Sequence, residues 1–408
     1  MYVKVQFDKP MSCRAPCRRS VSGADQMKRI ASGSAVIALM SVVSVPALAD
    51  FKIRVNGFVG FQAGLVLSDT SPRKAGRDYD FMSSARLQFD AVNTTDSGLE
   101  YGGRIRLDSV DRRTGAQANR TYLWLKGSFG TVTFGDAPTV LGEIGYFYAH
   151  DAVHSELGLN GGFGDGLDGL FQFGGSDYFA LDPSGQSAVS RQTKIKYNSP
   201  SLGGFQFAVD FTPVDGAKAG PGRPHDGNGG RDDLIDDDAT VYQNVVTVGL
   251  QYRGKFDQGS YAVGGTAGTG DGIVSKANRH GNDLAVFSLG GQVLAHHVGA
   301  SVNWVHNESI ALSNTAMDTV SVDLSYTFGD AAISGYYSAT WVPPGNGLNS
   351  PETDGVDLKR NDVAGAAFLY RPVPGLGTYV EIFYQKQDYR SGETWESTDL
   401  FTGVEVLF

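Results

Sequence analysis

The 408-residue chain carries 34 Lys and Arg against 44 Asp and Glu, a net charge of −10, so it lacks the basic balance that binding a phosphate backbone requires. Its two cysteines, Cys13 and Cys17, both stand near the start, and no apolar run approaches the roughly 20 residues of a membrane helix. Two classes remain: a soluble all-β protein, or a transmembrane barrel, whose alternating strands leave hydropathy weak.

The first feature in chain order is a processing signal. Met27-Lys28-Arg29 opens a basic region, Ala35 to Met40 is apolar, and Val45-Pro46-Ala47-Leu48-Ala49 ends in a small-x-small site. Residues 27–49 therefore read as a secretory signal peptide cleaved after Ala49, and residues 1–26 as an extension ahead of the true start. Removing residues 1–49 leaves 359 and takes away both cysteines, seven Lys or Arg and two Asp, so the net charge becomes −15. An exported chain of this size without disulfides must be held another way, such as by a closed sheet.

From residue 50 onward the dominant signal is a period of two. In Val320 to Phe328, Val, Val, Leu, Tyr and Phe occupy one face of a strand and Ser, Asp, Ser and Thr the other. Val246, Val248, Leu250 and Tyr252 alternate with Thr247, Gly249, Gln251 and Arg253; Val380, Ile382 and Tyr384 alternate with Glu381, Phe383 and Gln385. Sixteen strands are expected, at 51–66, 79–93, 99–109, 118–127, 130–136, 190–198, 204–212, 241–254, 260–268, 283–295, 298–308, 318–328, 331–341, 362–372, 377–388 and 398–408. A closed barrel of that many strands encloses water and not a packed core. The apolar faces must then look outward into lipid, and the sheet must close, because no open edge can be satisfied in hydrocarbon. The expected fold class is an all-β, transmembrane antiparallel barrel over residues 50–408.

Connection lengths alternate. Short links at 94–98, 127–130, 199–203, 254–259, 296–297, 329–330 and 373–376 trade with longer ones near 67–78, 110–117, 137–189, 213–240, 269–282, 309–317, 342–361 and 389–397. Outer-membrane barrels have short periplasmic turns and longer external loops, and sixteen strands put both termini on the short-turn side. The chain ends on Leu407-Phe408 after the alternating Val404 and Val406, resembling the terminal aromatic strand read by outer-membrane assembly machinery.

Three segments carry a family resemblance: Ser84 to Phe89 through Asp96 to Gly102; Arg120 to Gly130 with Gly135; and Arg191 to Pro200 with Gly204-Phe205 and Thr212-Pro213. Together they resemble the Gram-negative general porins, the trimeric sixteen-stranded type. The resemblance implies a homotrimer in the bacterial outer membrane, with the long third loop folded into each lumen to narrow it. It departs at Asp136, where the family often has Arg after the glycine of strand five.

The stretch from Asp136 to Ser190, the expected constriction loop, contains eight acids and no Lys or Arg. Glu143, Asp151, Glu156, Asp165 and Asp168 are its candidate constriction acids, the first three favoured by their early position. Its aromatics, such as Tyr146, Phe147 and Phe163, equip it to pack on the barrel wall. Opposing charge lies on the strands. Lys52, Arg54, Arg86, Arg104, Arg106, Lys194 and Lys196 alternate with apolar neighbours and should point inward, since Arg or Lys on the lipid face near midplane costs about 2–4 kcal/mol. A basic strip facing an acidic loop sets a transverse field that favours dipolar solutes over apolar ones.

Other chemistry is missing. The seven histidines form no metal signature, and the zinc-protease motif fails because Asp151 follows His150. No Gly-x-Ser-x-Gly elbow or phosphate-binding loop is present. The acidic run Arg231 to Asp238 could bind calcium or bridge lipopolysaccharide cations, but it lacks the Gly turn and Glu of a calcium loop, so a solvated loop tip is expected and no cofactor. The functional expectation is a passive, water-filled channel for ions and small hydrophilic solutes, with lipid and lipopolysaccharide as surroundings. The alternatives are a sugar- or anion-selective channel of the same fold, which stacked lumen aromatics would favour, and, more remotely, a barrel enzyme. Amino-terminal sequencing of the membrane-extracted protein should begin at Asp50; retention of any residue of 27–49 would contradict the processing signal.

Overall fold

The computed structural model describes residues 51–70, 78–110, 117–144, 147, 192–215, 240–274, 279–280, 283–307, 317–344 and 358–408. They form one antiparallel sheet closed on itself. Its principal strands are β1 (Lys52–Asp69), β2 (Tyr79–Thr94), β3 (Glu100–Val110), β4 (Gln117–Gly127), β5 (Gly130–Asp136), β6 (Thr193–Asn198), β7 (Phe205–Asp215), β8 (Thr240–Phe256), β9 (Gly259–Val274), β10 (Leu284–Ala295), β11 (Val298–Asn307), β12 (Met317–Phe328), β13 (Ala331–Trp341), β14 (Leu358–Val373), β15 (Leu376–Tyr389) and β16 (Thr394–Leu407). A two-residue rung, Arg279–His280, pairs with the end of β9 in its connection to β10. Each principal strand pairs with its sequence neighbours, and β1 also pairs with β16, from Phe58 opposite Leu407 to Asp69 opposite Ser397. The seam ends where Gly57 and Phe408 exchange backbone hydrogen bonds of 2.9 and 3.0 Å. Closure leaves no sheet edge, which is what a strand barrel in hydrocarbon needs.

The alternation expected from the sequence is present in three dimensions, with the apolar faces outward as expected and opposite to those of a soluble protein. On β8, Val246, Val248 and Leu250 are exposed while Thr247, Gly249 and Gln251 are buried. On β15, Val380, Ile382 and Tyr384 are exposed while Tyr379, Glu381, Phe383 and Gln385 are buried. A soluble protein hides its large apolar side chains; this one displays them, with Leu324 62% and Leu289 60% exposed. Outward aromatics collect at both rims of this apolar band. At the short-turn end stand Phe205, Tyr252 and Tyr261, with ring centroids 4.7 and 5.9 Å apart in succession, together with Tyr326, Phe328 and Tyr370. At the opposite end stand Tyr79, Phe81, Phe287, Trp304 and Trp341. Two aromatic girdles around an aliphatic belt are the signature of a barrel held at two membrane–water interfaces.

Strand boundaries differ from expectation at one end of the barrel. β9 continues to Val274, six residues past the expected 268, because Thr269 to Val274 keep pairing with β8 although Gly270-Asp271-Gly272 has the composition of a loop. The connection expected at 389–397 shrinks to Arg390–Glu393, where Tyr389 N–H donates to the Glu393 carbonyl and Gly392 adopts φ +92°. Leu324→Arg, at the middle of the lipid-facing side of β12, should destabilise the barrel by about 2–4 kcal/mol. A denaturant titration of folding into liposomes measures this, and a wild-type midpoint would contradict the outward assignment.

Candidate functional site

The inner wall carries the charges. On β2, Arg86, Gln88 and Asp90 share the inward face, and register sets Arg86 opposite Asp108 and Asp90 opposite Arg104 of β3. Arg86 donates from Nε to Asp108 Oδ1 at 2.9 Å and from Nη2 to Oδ2 at 3.4 Å, and Arg106 reaches the same carboxylate at 3.3 Å. Arg104 grips Asp90 bidentately, at 2.7 and 2.9 Å. This fork-on-fork geometry is the strongest form of the pair and fixes both side chains in position. Arg104 also lies over the Tyr122 ring at 5.6 Å, and Arg86 over the Phe58 ring at 5.3 Å. Arg120 of β4 stands directly opposite Arg106, so the lattice extends over three strands. Lys52 and Arg54 share the inward parity of Phe58 but sit exposed near the short-turn end, with Arg54 opposite Asp90 in register.

Lys194 and Lys196 also point inward, beneath the start of the long third connection. The Lys194 ammonium donates to the Ala137 carbonyl at 2.9 Å and the Gln192 carbonyl at 2.8 Å, tying the two ends of that connection together. Lys196 donates to the Pro138 carbonyl at 2.9 Å and pairs with Glu143 at 2.6 Å. Both lysines are almost fully buried, so their charge is committed to these partners. The chain leaves β5 through Gly135, where φ is +119° and a Cβ would meet the Thr121 carbonyl oxygen at 2.4 Å, so a side chain is excluded. It then makes one helical turn, α1 (Val140–Glu143), against the inner wall. The Asp210 carboxylate of β7 accepts from Thr139 Oγ1 at 2.9 Å and Val140 N–H at 2.7 Å, serving as an N-terminal cap supplied by another strand. Val140, Leu141 and Ile144 pack on β7 to β10, and a Cβ at Gly249 would meet Val140 Cγ1 at 2.8 Å. Further on, Asn303 of β11 clasps Phe147 by both its N–H (2.9 Å) and its carbonyl (2.8 Å). Residues 137–144 and Phe147 thus lie against the inner wall between β5 and β11.

Of the candidate loop acids, Glu143 faces Lys196 on the wall; Asp151, Glu156, Asp165 and Asp168 lie outside the described residues, as does the acidic run 231–238. The sequence did not single out Asp90, Asp210, Arg120 or Asn303, whose positions here depend on register. It also missed an inward aromatic cluster, in which Phe383 and Phe401 stack at 5.2 Å beside Phe58, Tyr336 and Tyr379. At 2% exposure or less, Phe58, Tyr379, Phe383 and Phe401 are packed into the wall and form no open rail for a solute. Tyr336 lies across Gly365 and donates to the buried Glu381 at 2.9 Å.

Residues 34–388 match the model of the Gram-negative porin family. The chain belongs to that family. It is accordingly a multi-pass β-barrel of the outer membrane. A porin of Rhodobacter capsulatus is 40% identical over 63 residues, a match spanning 15% of this chain and 20% of that relative's length. The barrel superposes on the outer membrane channel DcaP of Acinetobacter baumannii with a TM-score of 0.60 at 13% identity, covering 90% of this chain and 100% of that one. The anion-selective porin from Comamonas acidovorans gives 0.57 at 13%, over 88% and 100%. The trimer form of OmpT from Vibrio cholerae gives 0.54 at 13%, over 88% and 99%. At these identities the likeness to the solved structures is one of fold.

Asp210→Ala should release the first turn of the porin's third loop, since it leaves the Val140 N–H buried and unpaired at roughly 1–3 kcal/mol and the Thr139 hydroxyl with only Thr247 Oγ1, at 3.3 Å, as partner. Limited proteolysis should then cut within 137–147 faster than in wild type while the unboiled barrel keeps its compact electrophoretic mobility. Equal cutting rates would show that Asp210 does not hold the loop.

Proposed function

We propose that the barrel is a passive aqueous channel through which ions and small hydrophilic solutes cross the outer membrane, working as a homotrimer. The single observation that carries this reading is the inverted side-chain distribution: apolar faces outward, polar and charged faces inward, on a closed sheet. Such a wall offers a hydrated solute hydrogen-bond partners in place of the bulk water it sheds. In this reading Lys52, Arg54, Arg86, Arg104 and Arg106 line the path, Glu143 joins the wall through Lys196, and the remaining acids of the third loop supply the opposing negative charge. Lys194 and Lys196 serve by holding the loop's two ends.

The family match and the trimeric OmpT neighbour support this reading, and it requires no catalytic group or resident cofactor. The buried state of Phe58, Phe383 and Phe401 gives no support to a sugar-guiding aromatic track. Purified protein added to a planar lipid bilayer in salt should give stepwise, ohmic conductance whose closures group in threes. Membranes that incorporate the protein but pass no current would refute the channel; single, ungrouped closures would refute the trimer.

A further inference from the structure

We propose that Asp90 and Asp108 are the residues that set the ion preference of this wall, as counter-charges embedded in its arginine lattice. The proposal deepens the channel reading above and rests on it. The inward faces of β2 to β4 bring Arg86, Arg104, Arg106 and Arg120 into adjacent register positions, with Arg106 directly opposite Arg120. Like charges set opposite one another across a strand pair repel. Interleaved among them are two carboxylates. Asp108 engages Arg86 at 2.9 Å and Arg106 at 3.3 Å; Asp90 engages Arg104 at 2.7 Å and accepts from Gln88 Nε2 at 3.0 Å. Among the described residues at these register positions, four guanidiniums stand against two carboxylates, so loss of either carboxylate makes the patch more positive by one charge. Arginine stays protonated at any relevant pH, so the aspartates are the positions at which the patch's charge is adjustable.

Geometry also places these groups where a passing ion would feel them. Arg104 is 32% exposed while its partner Asp90 is 9% exposed, so the arginine presents the charge and the aspartate beneath it reduces that charge. Arg86 over Asp108, at 17% against 9%, repeats the arrangement. The inward aspartates therefore act as specificity-determining residues through the field, with no need to touch the ion.

The test is the reversal potential across a planar bilayer under a tenfold salt gradient, for Asp90→Asn, Asp108→Asn and the double variant, with Asp90→Glu and Asp108→Glu alongside. Each Asn variant should raise the anion-to-cation permeability ratio about twofold, the factor that a unit charge roughly 8 Å away exerts through water after salt screening. The double variant should go further in the same direction, and the Glu variants should stay near the wild-type ratio. A conducting Asn variant whose ratio is unchanged, or moves towards cations, overturns the proposal alone. Glu variants that move as far as the Asn variants would assign the aspartates a purely geometric role and overturn it too. Wild-type protein that passes no current overturns the channel reading and this proposal with it. The two single sites sit on different arginines, so either variant carries the test if the other fails to fold.

Discussion

Backbone amides and carbonyls find no water inside a bilayer, and that one constraint organises this molecule. A strand can lie in hydrocarbon only if both its edges are paired, so the sheet must return to its start. Here β16 does so by zipping onto β1 along nearly its whole length, with Phe408 and Gly57 sealing the last rung. Once the ring is closed, each strand has one face on lipid and one on the lumen, and a period of two in the sequence becomes a division between two solvents. The exposed leucines and valines and the buried serines, threonines and glutamines all follow from it.

Within the ring, the third loop's beginning is held by polar contacts whose partners come from strands far apart in sequence. Lys194 joins the loop's two ends, Asp210 caps its first turn, and Asn303 clasps Phe147 from a strand 156 residues away. Each of these groups is buried and bonds to the loop's backbone, Asp210 also to the Thr139 hydroxyl, so undocking would leave several polar groups unpaired at once. A segment held this way stays fixed relative to the arginine wall, and a fixed geometry is what turns scattered charges into a defined field.

The fold was more legible in the sequence than the site. Alternation located all sixteen principal strands, and β5 and β13 match the expected 130–136 and 331–341 at both ends. The misses have a common cause. Gly270-Asp271-Gly272 has turn composition, yet the β8 ladder carries it as strand, because pairing outweighs intrinsic preference once a neighbour is in place. For the wall, parity assigns a face but not a partner. That Arg104 meets Asp90, and that Arg106 stands opposite Arg120, follows only from the stagger between strands, which a linear reading does not contain. Asp210 could not have been singled out either, since nothing local distinguishes a carboxylate that caps a helical turn 70 residues away.

The claim at the centre is that neighbouring residues on one strand see different solvents. Single-cysteine scanning along β12 tests it residue by residue. In channels reconstituted in a bilayer, Asp323→Cys and Thr327→Cys should react with a water-soluble charged thiol reagent and alter the current, whereas Val322→Cys and Leu324→Cys should not. Uniform reactivity along the strand, or reactivity confined to positions 322 and 324, would contradict the account.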